Sequence, residues 1–264
     1  MAKTNFGRVV EIMTGNMSFA LSKYSMEGNV PFDADALPNE SEIRLWNQAQ
    51  TTINNIKRNG VLMVNAGYTG DIGLILHGRI SAVRTRWEGV DKVTTINILD
   101  SEDLSKREVT EIAFAKGTLA SAIIKQMAGY IGLPVAQMTL NQDYRYQDGY
   151  TAKGKVTDII TEVCKDCGTT VYINQSKLYV RNLRSGADAV FALSPQTGLI
   201  GSPEYFEDNG IKGYKIQAQL QRRITTASVI NLACREFSGK LHVRSGSHKF
   251  SNTGDFITEV EAIM

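Results

Sequence analysis

The residues whose type and spacing come nearest to a chemical signature are Cys164 and Cys167, in the stretch EVCKDCGTTVYINQSKLYV from Glu162 to Val180. A Cys-x-x-Cys followed at once by glycine is the spacing of a zinc knuckle or of a redox pair. A tetrahedral zinc site needs two further ligands, and the remaining cysteine, Cys234, stands in NLACREF with no histidine near it in sequence. His242 and His248 come later, without the spacing of a finger. A thioredoxin-like pair begins a helix, where the dipole and the free amides lower the thiol pKa, whereas this pair ends one. Val156, Ile159, Ile160, Val163, Cys164 and Cys167 continue a single i, i+3, i+4, i+7 stripe. The pattern predicts two packing thiols on a core-facing helix that Gly168 closes.

Other chemistry has less support. The serine of GTLASAI lacks the G-x-S-x-G of a nucleophile elbow, and no Walker loop, HExxH or dinucleotide glycine motif occurs. His77 falls on the polar side of a strand beside Arg79, the place of a surface or interface group, and His248 in SGSHKFS reads as a turn residue. Glu42 with Asp33 or Asp35 reads as solvated charge in polar loops, and Arg222-Arg223 as a solvated face or an interface contact. The sequence therefore assigns no catalytic, cofactor-binding or metal-ligating residue.

Composition agrees with an ordinary folded chain. With 264 residues and 42% apolar residues the protein can bury a core without metals or disulfides. The 29 basic residues against 27 acidic ones give a net charge of +2, far from the basicity of a protein that coats nucleic acid. MAKTNFGRVVEIMTGNMS has no apolar run of signal-peptide length, and no window approaches the roughly 18 apolar residues of a membrane span. The expectation is a chain made in a cytoplasm with free thiols.

The elements follow from periodicity. FGRVVEIM, EIRLWNQ and VLMVNAGY read as short strands, with a short helix near Thr51 to Lys57 that brings Ile53 and Ile56 together. GLILHGRISA alternates, with Leu74, Leu76, Ile80 and Ala82 on one face and Ile75, His77, Arg79 and Ser81 on the other. A turn at Glu88-Gly89-Val90-Asp91 then leads into KVTTINILD as a hairpin. From about Ser105 the period changes to that of helices. Leu119, Ile123, Met127 and Ile131 share a face with Thr118 as N-cap and Gly129 or Gly132 as terminator. NQDYRYQDGYTAKGK reads as a polar loop, Val156 to Cys167 as the second helix, and Asn174-Gln175-Ser176 as a hairpin turn. Strands return from Phe191, with Tyr214, Ile216, Ala218 and Leu220 on one face, and Leu241 and Val243 opposite Lys240, His242 and Arg244. The fold class is α+β, mostly β. Its expected units are 1–104, a first β domain in the manner of a small barrel or sandwich; 105–188, a central α/β module; and 189–264, a second β domain.

The order of these segments resembles the baseplate hub proteins of tailed bacteriophages, a trimeric family also present in phage-derived contractile injection particles. NESEIRLWNQAQTTINNIKRNGVLMVNAGYTGDIGLILHGRI resembles the first tube-like domain. KGTLASAIIKQMAGYIGLPV and DGYTAKGKVTDIITEVCKDCGTTVYINQSKLYV resemble the central module, and SPQTGLIGSPE, GYKIQAQLQRRI and SGSHKFSNTGDFITEVEA the second barrel-like part. The resemblance implies two tube-like β-barrel domains around a helix-containing module and a non-enzymatic homotrimer without cofactors. This trimer would join the sixfold tail tube to the threefold spike or tip, lining the DNA ejection channel. It implies as partners the tail tube protein, the spike or tip protein, the C-terminus of the tape-measure protein and other baseplate proteins, with DNA only in passage. The place implied is the virion tail, after assembly in the host cytoplasm. A tail-tip cell-wall or receptor-binding module, or an enzyme of unknown substrate, are the alternative readings.

Overall fold

The computed structural model describes residues 6–185, 190–208 and 210–264. The chain opens with β1 (Arg8–Thr14), β2 (Met17–Ala20), β3 (Met26–Phe32) and β4 (Glu40–Trp46), then α1 (Gln50–Asn55), β5 (Val61–Tyr68), β6 (Asp71–Glu88) and β7 (Asp91–Leu99). The middle holds β8 (Glu108–Phe114), β9 (Thr118–Leu119), α2 (Ala120–Ile131), β10 (Val135–Met138), β11 (Arg145–Tyr146), β12 (Tyr150–Lys155), α3 (Val156–Asp166), β13 (Thr170–Asn174) and β14 (Lys177–Arg181). The last part comprises β15 (Val190–Leu193), β16 (Leu199–Asp208), β17 (Ile211–Gln219), β18 (Val229–Ala233), β19 (Ser238–Ser251) and β20 (Phe256–Ile263). The protein is α+β and mostly β.

Strands from both ends of the chain join in one 13-stranded sheet, in the order β16-β17-β20-β19-β3-β4-β7-β6-β5-β1-β2, with β18 and then β15 branching from β19. β19 makes this possible. Its first residues pair with β18, its middle with β20, and Gly246 to Ser251 with β3. The β3–β19 seam is built from reciprocal aromatic and glycine partners, Phe250 opposite Gly28 and Phe32 opposite Gly246. A Cβ on Gly28 would lie 2.3 Å from the Phe250 ring, and one on Gly246 would lie 2.7 Å from that of Phe32. Each ring thus lies across bare backbone, an arrangement that offsets the missing side chain of a strand glycine.

Three main apolar clusters form around this frame. The first includes Ile12, Ile43, Leu62, Ile96 and Phe250, the second α2 and α3 with Val171 and Leu178, and the third Ile216, Ile230, Leu241 and Val260. Phe250 and Phe32 cross the seam into opposite clusters, which couples the two ends of the chain through the sheet.

Several expectations change in detail. Bulges after Val64 and Ile80 shift the phase of β6, so Ile75 is buried together with Leu76 and Ile80, while Leu74 and Ala82 are half-buried. Thr118 does not cap α2; its hydroxyl donates to the Ala115 carbonyl, and Asp143 Oδ1 accepts the Ser121 amide 2.9 Å away. Gly132, not Gly129, ends that helix, in a left-handed conformation with φ 75°. The segment read as a polar loop contains β11 and all of β12, because its strand partners, β9 and β8, lie upstream in sequence. The hairpin after α3 forms as expected, with positive φ at Gln175 and Ser176, the geometry that suits the twist of paired strands.

Candidate functional site

The cysteine pair packs in the core. Cys164 and Cys167 are 0% and 1% exposed among the apolar side chains of α2, α3 and β13. Gly168, at φ 59°, donates to the Lys165 carbonyl, and Thr169 to that of Cys164, which closes the helix with a Schellman-type pair of bonds. Burial pushes the Cys164 thiol up to about 12, away from thiolate chemistry, and the neighbouring Cys167 adds to the shift. Burial raises Cys167 as well. Cys234 lies in another part of the fold, half-buried, with its Sγ 3.3 Å from the Phe237 carbonyl.

Two histidines sit elsewhere than the sequence suggested. His248 is inside β19 rather than in a turn, 2% exposed, with its ring 5.1 Å from that of Phe32. The Gln221 amide donates to Thr258 Oγ1, which hydrogen-bonds His248 Nδ1 at 2.9 Å, and the ring also meets the backbone of Ile224. Burial lowers His248 to about 4. His242, expected on a polar face, is buried because the turn at Leu183–Ser185 packs over its strand; its Nδ1 has no partner among the described residues. Desolvation lowers its pKa, with Lys240 and Arg184 acting in the same direction. His77 is half-buried on β6.

The acidic candidates separate. Glu42 is an exposed residue of β4, not of a loop, whereas Asp33 and Asp35 do lie in the β3–β4 connection. The Asp33 carboxylate accepts the Asp35 amide, and burial raises its pKa. Asp100, which no sequence pattern singled out, is 7% exposed at the end of β7 and receives the Asn39 backbone and side-chain amides. Burial lifts it to about 7. Its own carbonyl accepts from the Ser176 amide and hydroxyl, so the first part of the chain holds the hairpin of the middle part at this point.

Of the arginine pair, Arg223 stays exposed and Arg222 is half-buried against another part of the chain. Arg222 and Arg223 both close on Asp71 of β6, with Arg222 Nη2 at 2.7 Å and Arg223 Nη2 at 3.1 Å. Both arginines, with His77, Asp100, Asn174 and His248, line a cavity of about 180 Å³ where the three parts of the chain meet. Among the described residues, no three His, Cys, Asp or Glu side chains converge in a metal-like group.

The remaining surfaces suit assembly. β2 and β16 end the main sheet and each has a single strand neighbour among the described residues; β15 pairs only with β18. Such edges carry unpaired main-chain groups, a ready template for another chain. No described helix is long and apolar enough to cross a membrane.

No family model matches the chain, and no curated protein matches it in sequence. Its fold, however, matches solved structures over nearly its whole length. A tail protein from Neisseria meningitidis superposes with a TM-score of 0.69 at 9% identity, over 98% of this chain and 97% of that one. A prophage MuSo2 tail protein from Shewanella oneidensis gives 0.68 at 8% identity, over 97% and 98% of the two chains. An Escherichia coli component of the type VI secretion system, described as structurally similar to bacteriophage T4 tail proteins gp27 and gp5, gives 0.65 at 10% identity over 96% and 76%. The chain has the fold of phage tail proteins.

Proposed function

We propose that the protein is a non-enzymatic structural hub of a phage tail or of a related injection particle. The observation that carries this reading is the end-to-end match to tail proteins, with 98% of the chain superposed on the Neisseria protein. Chemistry points the same way: the cysteines are core residues, His248 is held neutral inside a strand, and the arginine pair ties one part of the chain to another. In this reading 1–104 and 189–264 are two tube-like units, joined through the β3–β19 seam, and 105–188 is the module beside them. Three copies place six tube-like units in a ring, which meets a sixfold tube on one side and a threefold spike on the other. The free edges of the sheet serve contacts between copies, and the ring's lumen passes DNA.

Imaging of an assembled particle with this chain labelled tests the proposal. Three copies between the last tube ring and the spike are expected. Absence from the tail, or a location only on receptor-binding fibres, would refute it.

A further inference from the structure

The distal half of β6 outruns its own core. β5 accompanies β6 only as far as Arg79, opposite Val61, and from Ala82 to Glu88 its one strand partner among the described residues is β7. Val83 packs on the first apolar cluster, and the Thr85 hydroxyl meets that of the buried Thr94 across the hairpin at 3.0 Å. Trp87 continues this row beyond the end of the cluster and is left 70% exposed, with Val90 at the turn 91% exposed. On the opposite face of the strand Arg86, 72% exposed along its side chain, makes an ion pair with Glu88, which Arg44 also holds. The tip therefore presents two uncovered apolar side chains, with an exposed arginine on the other face of its strand.

A cleft of about 630 Å³ lies elsewhere on the sheet, at the open side of β16. The register between β16 and β17 shifts from Ile200 to Glu204, and Gly201, at φ 65°, lets the edge bulge away. Phe32, Ile200 and Val260 supply apolar lining. The charged lining consists of Asp33, Glu204, Glu259 and Glu261 against Lys215 alone. Lys215 pairs with Glu261 and stands opposite Glu204 across the β16–β17 ladder, and Lys249 reaches Glu259 from the margin, so among the described residues four carboxylates share two lysines and the lining keeps an acidic excess.

We infer that the β6–β7 tip of one copy seats in this cleft of a second copy, Trp87 and Val90 against its apolar lining and Arg86 toward Glu204. The cleft's volume suits a tryptophan with its neighbours, and Trp and Arg are the side chains that most often anchor interfaces. Tip and cleft lie on different strands, so each copy can give its tip to one neighbour and receive that of another, and such head-to-tail contacts close into a ring when the rotation allows. The inference rests on the hub reading for the number of copies, and on this chain's own surfaces for the contact.

Self-association of the purified chain, followed by sedimentation across concentration, tests the contact. Arg86→Glu, Glu204→Lys and Trp87→Ala change exposed side chains, and circular dichroism checks that each variant folds. Each single variant weakens association by about tenfold or more, as loss of an anchor does. Arg86→Glu combined with Glu204→Lys recovers most of that loss, because every interface then pairs Glu with Lys again. Association unchanged in the single variants, a double variant no better than either single one, or a wild type monomeric at every concentration overturns the contact. Incorporation of the same variants into particles reads the hub role separately: entry into tails without self-association sinks the contact and leaves the hub standing.

Discussion

Arg222 and Asp71, 151 positions apart, meet through two hydrogen bonds to Asp71 Oδ1, from Nε at 2.9 Å and from Nη2 at 2.7 Å. Arg223 adds a third contact to the same oxygen. The guanidinium of Arg222 lies across Gly73, where a Cβ would stand 2.6 Å from Nη1, so the glycine provides the space for the clamp. The loop that carries both arginines is pinned at its base by Gln221 to Thr258 and by Ile224 to His248.

Removal of the shared acceptor should cost more than an ordinary surface pair. Asp71 and Arg222 are about three-quarters buried, and the carboxylate serves two cations that would otherwise repel each other. Asp71→Ala is expected to destabilise the fold by about 1 to 3 kcal/mol in urea denaturation. Asp71→Glu should do better than alanine, since it keeps the charge. Equal stability of the alanine variant and the wild type would show the clamp to be ornamental.

The thiols offer a direct check on the helix-end reading. Cys164 and Cys167 should resist a thiol reagent in the native state while the half-buried Cys234 reacts, and all three should react in denaturant. Replacing both buried thiols by alanine removes core volume and should cost about 1 to 3 kcal/mol without changing the metal content. Stoichiometric zinc in the wild type that is lost in the double variant would contradict the assignment.

The cysteine reading was accessible from sequence because a helical stripe is local: six residues spaced over three turns, followed by a glycine, carry it. The β6–β7 hairpin was accessible for the same reason. What stayed hidden depends on contacts distant in sequence. Nothing near Asp71 announces arginines 151 and 152 positions later. Asp100 is buried by the β3–β4 loop and by the β13–β14 hairpin, which arrive from opposite directions along the chain. His248 looked like a turn residue because SGSHKFS is rich in serine and glycine, yet Gly246 is there to accommodate the Phe32 ring. The two bulges in β6 likewise leave no mark in a two-residue alternation.

Two buried groups at the central cavity should pull stability in opposite directions with pH. His248 is lowered from 6.5 to about 4, so its contribution is present above pH 6.5 and is lost as pH falls through about 4. Asp100 is raised from 3.8 to about 7, so its contribution is present below pH 3.8 and is lost as pH rises through about 7. His242 acts in the sense of His248, and Asp33 in the sense of Asp100. Each of the two larger effects is on the order of 3 kcal/mol across its window. Over their shared range they largely cancel, giving the wild type a shallow profile. Asp100→Asn should unmask a loss of stability on acidification, and His248→Gln a loss on alkalinisation. Chemical denaturation at steps between pH 4 and pH 7 reads both slopes, and parallel profiles for the three proteins would exclude this balance.

The seam between β3 and β19 makes the last prediction. Phe250 belongs to the first apolar cluster although it comes late in the chain, and Phe32 belongs to the third although it comes early. Each reaches its cluster across a glycine on the opposite strand, so the exchange depends on two positions having no side chain. Gly28→Val would place a branched side chain where the Phe250 ring now lies, and β3 would have to move away from β19. Gly28→Ala, adding one carbon at 2.3 Å from the ring, forces a smaller displacement of the same kind. Overpacking of this type costs about 1 to 3 kcal/mol, with valine at or above the upper end. Because the seam links the two ends of the chain, the effect should extend beyond the site: hydrogen exchange in Gly28→Val should speed up in β3 and β19 together while α2 and α3 stay protected. Loss of protection confined to β3 would mean that the two parts of the sheet hold together without the seam. Phe250→Leu in the Gly28→Val background relieves the clash and should recover part of the stability, which distinguishes a steric cause from a general intolerance of valine at this position.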